Sequence, residues 1–287
     1  MTVDWVQFTD LLAMPAVHRA ALALGVGSIA LPLVGVVIIG LNIMPVRFAV
    51  MHVALLGIAA GLLTGLDPML CALIACAFTG AGITPFARTP AGLSGAMGLL
   101  MSLAIAGALL MLSLSGVNAA TAFELLWGSI LSVKAVDICL LVALAVLVPT
   151  VLAASHKKIV LLLNNRELAL ASGIRVELLT GVLLVLVAIS IASGIRLTGA
   201  LLVDALTLLP ALAGRRLGTT FTSICLWSIA ASLVSNSIGF TIALLWDLPP
   251  GPVLVLVAGA LVLIAHLRTQ PKKGPECESS ASLPSVH

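Results

Sequence analysis

Apolar stretches of about 20 residues recur along the whole chain, each closed by Gly, Pro or charge. That length crosses a bilayer as a helix. Within hydrocarbon every backbone polar group must be bonded inside the protein, which admits only helices or closed barrels. A barrel would alternate apolar and polar residues in runs of ~10, and the sequence has no such alternation. Hydrophobic residues make up 61% of the chain and charged residues 9%, so no segment is polar enough to form a separate soluble domain. The fold class is therefore all-α: a polytopic membrane helical bundle.

Spans are expected near 20–43, 46–65, 68–86, 92–113, 136–154, 177–194, 198–213, 219–246 and 252–267. This gives about nine transmembrane helices, with eight or ten as the neighbouring counts. The segment 121–132 is too short and mixed to span, and reads as a surface or re-entrant helix. Residues 1–18 form an external interfacial segment: Trp5, Phe8, Leu11 and Leu12 fall near one helical face, and acidic residues stand where a signal leader would be basic. The transmembrane domain then covers 19–268. Residues 269–287 are polar and rich in Pro, Ser and Lys, and are expected to be a disordered cytoplasmic tail. Cys277 and His287 lie in this tail.

Basic residues set the orientation. Eleven of the fourteen Lys and Arg, from Arg47 and Arg88 through Lys157, Lys158 and Arg175 to Arg268, Lys272 and Lys273, fall on one side of the alternating connections. Arg19, Lys134 and Arg196 fall on the other. The first side is expected to be cytoplasmic, with the N-terminus outside and the C-terminus inside.

Gly57, Gly61 and Gly65 make two consecutive small-xxx-small steps, a pattern that lets helix backbones approach. Pro32, Pro149 and Pro210 interrupt their spans. Of the five cysteines, four lie in apolar segments and read as small buried hydrophobes. No phosphate-binding G-x-x-x-x-G-K-[ST] loop and no nucleophile–base pairing is present, so the chain is not read as an enzyme, and any ATP-driven work would need a separate subunit.

Two ionisable side chains cannot be placed near a span end: His52 and Asp204. A charge or imidazole in a bilayer costs several kcal/mol unless paired or hydrated, and by default marks a site. Imidazole and carboxylate both ligate divalent metals. His52 reads as a ligand or gate. For Asp204 two readings stand: a metal ligand, or a structural clamp to Arg47 or His52. Thr207 shares a helical face with Asp204 and offers a further oxygen, though a bond to its own i−4 carbonyl competes. Glu124 and Asp137 flank the external loop, where solvated charge is the plainer reading. Asp247, just before Pro249, reads as a turn residue.

Several motifs carry a resemblance. A short polar helical stretch holds Glu167, Leu168, Ala169 and Gly173. A later span holds Gly199, Leu201, Leu202, Val203, Ala205, Leu206 and Pro210, and a turn holds Asp247, Leu248, Pro249, Gly251 and Pro252. Together with residues 35–59 and 128–137, they resemble the permease subunit of bacterial ABC importers for zinc, manganese and iron, over residues 15–267. The resemblance implies a type II importer-like permease in the bacterial inner membrane, working as a homodimer. It implies a cytoplasmic ABC ATPase dimer docked near 160–173 and an extracytoplasmic metal-binding protein, with the lipid bilayer as surroundings and no nucleic acid. No cofactor is expected to stay bound. The divalent ion, zinc favoured over manganese, is cargo. Two departures bear on the site. The family commonly carries an Asp four residues before the His, where this chain has Phe48, and a small or neutral residue where this chain has Asp204. A chelate permease, for siderophores or cobalamin, and an ion-coupled secondary transporter are the alternatives.

Overall fold

The computed structural model describes residues 14–85, 90–116, 130 and 133–268, excluding the side chains of residues 90–92, 196–198, 200, 201 and 204. Among these residues every regular element is a helix. In chain order they are α1 (Pro15–Gly40), α2 (Met44–Thr64), α3 (Pro68–Ile83), α4 (Pro90–Ser115), α5 (Ala135–Ala154), α6 (His156–Asn164), α7 (Arg166–Ala171), α8 (Val176–Thr198), α9 (Ala200–Leu217), α10 (Phe221–Leu245) and α11 (Pro250–Arg268). The interfacial stretch up to residue 13, the expected helix at 121–132 apart from Ile130, Glu124 and the tail from residue 269 lie outside the described residues. Residues 15–18, assigned from sequence to the interfacial segment, belong to α1.

Seven of these helices, α1, α2, α4, α5, α8, α10 and α11, are long and apolar enough to cross a membrane. The other two expected spans exist as helices but differ in kind. α3 has 16 residues, about 24 Å of helix against a hydrocarbon core of ~30 Å. α9 has 18 residues but carries Asp204, Arg215 and Arg216. The expected coupling stretch 160–173 is split by Asn165 into α6 and α7. Pro32, Pro149 and Pro210 lie inside α1, α5 and α9, which continue through them.

α1 and α8 are the most enclosed spans, and α4, α5 and α11 the most peripheral. α8 packs against α3, α1, α9 and α2, while α1 packs against α9, α5 and α10. One layer, α2 with α3 and α4, flanks this centre on one side, and α9 with α10 and α11 flanks it on the other. Lipid is as apolar as a leucine side chain, so no hydrophobic drive pulls these helices together, and close backbone approach at small residues must do so. Gly57 of α2 sits against the backbone of Ala72, and Gly61 against Pro68, so that a Cβ at either would lie 2.5–2.6 Å from α3 backbone atoms. Gly65 serves the turn instead: nothing lies within 4 Å of its missing Cβ, and its φ of 73° ends α2. Two residues on, Asp67 caps α3, accepting from Met69 N at 2.8 Å and Leu70 N at 3.1 Å. Pro68 takes the first helical position, where its missing N–H costs nothing. The sequence TGLDP thus reverses the chain in a few residues.

These placements separate the three glycines experimentally. Gly57→Ala drives a methyl into the α3 backbone and is expected to destabilise the purified protein by about 1–3 kcal/mol. Gly65→Ala meets open space and costs only the left-handed backbone, about 1–2 kcal/mol, and Gly65→Asn less again. Denaturation in detergent should rank Gly57→Asn as more damaging than Gly65→Asn. The reverse order would remove the packing role of Gly57.

Candidate functional site

His52 lies in the third turn of α2, half-buried. Its Nδ1 is 2.6 Å from the carbonyl oxygen of Phe48, one turn back. A carbonyl only accepts, so Nδ1 carries the proton and donates, and a neutral ring in this tautomer has its lone pair at Nε2. The backbone of the helix thereby orients the imidazole. Phe48, at the position where a carboxylate was expected by resemblance, is 44% exposed. The guanidinium of Arg47 lies over its ring, 4.3 Å from the centroid, which shields part of a cation held at 8% exposure.

On α9, the Thr207 hydroxyl donates to Val203 O at 2.7 Å, the ordinary i−4 bond of an intramembrane threonine. The residue is fully buried. The Asp204 side chain lies outside the described residues; its backbone stands in the second turn of α9.

Helix-to-helix contacts set the relative depth of these positions. Cys76 of α3 donates its thiol to Val50 O of α2 at 3.7 Å. Gly80, one turn along α3, meets the backbone of Leu184 and Val185 on α8. Gly194, further along α8, meets Val203 of α9 and Leu31 of α1, and Gly35 of α1 meets the carbonyl of Thr207. The backbone registers Gly57–Ala72, Gly61–Pro68, Gly80 with Leu184 and Val185, and Gly194–Val203, followed residue by residue, put His52 level with residues 187–188 of α8, and so with residues 209–210 of α9. Thr207 is then about 4 Å and Asp204 about 8 Å away in depth at ~1.5 Å per residue. His52 on α2 and Asp204 and Thr207 on α9 stand on two helices that both pack against α8. Among the described residues, no three His, Cys, Asp or Glu side chains converge.

A second polar group inside the bundle is not evident from sequence. Asn236 of α10 donates Nδ2 to Ser28 Oγ of α1 at 2.7 Å and to Ser232 Oγ at 3.3 Å. Ser28 in turn donates to Leu24 O at 2.6 Å. Ser28, Ser232, Ser235 and Asn236 are all buried, and Asn236 Oδ1 has no hydrogen-bond partner. The signal that could have found it is the polar run SNS inside an apolar span, which the ionisable residues outweigh.

At the other end of α8 the motif at 167–173 has a local explanation. Asn165 caps α7 by accepting from Leu168 N at 3.0 Å. Ala169 is fully buried under the bundle, while Leu168 and Leu170 are 54% and 53% exposed and Glu167 is exposed. Gly173 takes φ 75°. Its N–H bonds Leu170 O at 3.0 Å and the next N–H, from Ile174, bonds Ala169 O at 3.2 Å. This is the paired closure of a Schellman motif, which favours glycine. Asp137, read from sequence as a solvated loop charge, is instead buried and accepts from Lys134 N at 3.0 Å, closing the start of α5. Asp247 sits at φ 48° in the turn between α10 and α11. The four described cysteines are free, and Cys139 is exposed on the outside of its helix.

The Asn236–Ser28 bond predicts a measurable coupling. Ser28→Ala and Asn236→Ala should each destabilise the protein, and a double-mutant cycle on unfolding in detergent should give about 0.6 kcal/mol of interaction, at most ~1.7. Strict additivity would show that the two side chains do not bond.

Comparison with known proteins places this architecture. The chain is 28% identical over 210 residues, 72% of its length and 73% of the other's, to a probable metal transport system membrane protein of Thermotoga maritima. It is 25% identical to the high-affinity zinc uptake system membrane protein ZnuB of Haemophilus influenzae over 50% of this chain and 56% of that one. It is 26% identical to the manganese transport system membrane protein MntC of Listeria innocua over 62% and 63%. Among solved structures, a chain of PsaBC from Streptococcus pneumoniae in complex with Fab shares the fold at a TM-score of 0.78 and 21% identity, over 91% of this chain and 95% of that one. An inward-facing ABC transporter classed as metal-chelate type does so at 0.73 and 18%, over 93% and 90%. Residues 13–269 match the ABC 3 transport family, and the chain belongs to that family of membrane-spanning transport subunits.

Proposed function

We propose that the chain is the membrane subunit of an ATP-binding-cassette importer that carries a divalent transition metal, zinc or manganese, into the cytoplasm as a homodimer. The observation that carries this reading is His52: an imidazole deep in the bundle, its Nδ1 tied to Phe48 O, with Nε2 left as a ligand atom. Asp204, on α9, supplies oxygen. Phe48 and His52 are not sealed by their own chain, which favours an ion path between two protomers. Few and weak ligands suit a pathway, because an ion held tightly would not leave. Relatives named for zinc and for manganese support both metals, and a sparse site with imidazole leans to zinc. A chelate permease, the second reading, would pass a larger cargo and have no need of an intramembrane imidazole.

The coupling element in this reading is α6–α7. Leu168 and Leu170 stand exposed beside Glu167 on a short helix outside the spans, a surface suited to a partner. The partner is an ABC ATPase dimer on the cytoplasmic side, and an extracytoplasmic metal-binding protein delivers the ion opposite. The excess of basic residues on that side supports a cytoplasmic α6–α7 and C-terminus.

His52→Ala is expected to reduce uptake of radioactive zinc or manganese by at least about tenfold while the protein still inserts and co-purifies with its ATPase. Asp204→Asn separates ligand from clamp: as a ligand, its loss of charge removes most uptake, whereas an amide hydrogen-bonded to His52 keeps much of it. Restoring a carboxylate by Phe48→Asp in an Asp204→Ala background should rescue uptake if the ligand has moved between helices. Unchanged uptake by His52→Ala would remove the metal-pathway assignment.

Coupling has its own test. Glu167→Arg with Gly173→Leu should leave membrane insertion intact and break the link between ATP hydrolysis and uptake, because the first changes the exposed surface and the second strains a φ of 75°. Uptake at the unaltered level in that double variant would take α7 out of the docking surface.

A further inference from the structure

α6 does not lie flush on the bundle. Behind it is a cavity of about 490 Å³, bounded by the end of α1, the inner side of α6, the end of α9 and the start of α10. That volume lies in the range of small-ligand sites, roughly 300–1,000 Å³. His156, Val160, Leu163 and Asn164 line it, spaced so that one side of α6 faces inward. The floor is apolar, with Val36, Ile39, Ala211 and Ile224. The rim is polar, with Arg215, Asn164, Thr219 and Thr222. His156 is anchored there, Nε2 to Thr222 Oγ1 at 3.1 Å and ring edge toward Phe221 at 5.5 Å between centroids.

The lining contains the cation of Arg215 and no Asp or Glu. Lys157 and Lys158 begin the same helix α6, and Arg216 follows Arg215. No hydrogen bond or ion pair among the described residues engages the Arg215 or Asn164 side chain. A cavity with a basic, donor-rich rim over an apolar floor, at the level where α1 and α9 end and α10 begins, matches one chemistry: a phosphodiester with apolar substituents. We propose that this cavity binds the headgroup of an anionic phospholipid, with Arg215 and Asn164 on the phosphate and the glycerol end on the apolar floor. Basic pockets between membrane helices take such headgroups. Free phosphate would use the rim and leave the floor unfilled.

The test uses the full-length chain, released from membranes in detergent and followed by native mass spectrometry with added phosphatidylglycerol or phosphatidylcholine. One phosphatidylglycerol is expected to stay bound under conditions that strip phosphatidylcholine. Arg215→Gln should weaken its retention about fivefold, the weight of one basic side chain at an anionic headgroup. Arg215→Lys should keep most of it, and Arg216→Gln, next in sequence but outside the lining, should leave it unchanged. Thermal unfolding of each variant establishes that the chain is folded. Equal loss with Arg216→Gln would reduce the effect to diffuse surface charge and overturn the proposal. So would equal retention of phosphatidylcholine, or displacement of the lipid by millimolar inorganic phosphate. An Arg215→Gln chain that keeps phosphatidylglycerol but no longer co-purifies with the ATPase would assign the cavity to protein docking instead.

Discussion

Gly35 against the Thr207 carbonyl, Gly80 against the α8 backbone, Gly194 against Val203, and Gly57 and Gly61 against α3 are the contacts that fix how these helices stand. In a bilayer, burying leucine against leucine gains nothing over leaving it in lipid, so van der Waals fit at small residues takes the place of a hydrophobic core. Each contact also sets a register. Chained together they bring His52 to within about 4 Å in depth of Thr207 and about 8 Å of Asp204, although the first is separated from the others by about 150 residues. Displacing one glycine contact by a turn would move one of these groups by ~5.4 Å.

Several polar groups inside the bundle commit a donor to their own helix backbone. Ser28 and Thr207 give their protons to carbonyls one turn back, which leaves the Ser28 oxygen as an acceptor. Asn236 uses that by donating to Ser28. His52 does the same in reverse: its donor nitrogen is taken by Phe48 O, and its acceptor nitrogen is what remains. In Ser28 and His52, committing one end to the helix backbone leaves the other end with a defined role.

The helix ends show the same economy of local signals. Asp67 and Pro68 start α3, Asn165 starts α7, and Asp137 closes the start of α5. Gly65 and Gly173 end their helices in the left-handed region. The short α6 and α7 then hang outside the spans, with Ala169 as their buried attachment and the cavity behind α6 as the space the bundle does not fill.

Length and apolarity were enough to read the all-helical membrane class and the helix at each expected span, because a bilayer allows a chain of this composition little else. His52 was also legible, since an imidazole stands out among apolar residues. The roles of similar residues were not. Gly57, Gly61 and Gly65 look alike in sequence, yet two pack against a neighbour and the third turns the chain, a difference set by what lies opposite each. Asp137 reads as a loop charge until the helix it caps is seen. The polar pairing of Ser28 with Asn236, 208 residues apart, and the cavity under α6 depend on helices from distant parts of the chain meeting, so no local pattern encodes them. Sequence alone determined what could cross the membrane. The registers between helices decided which side chains meet within it.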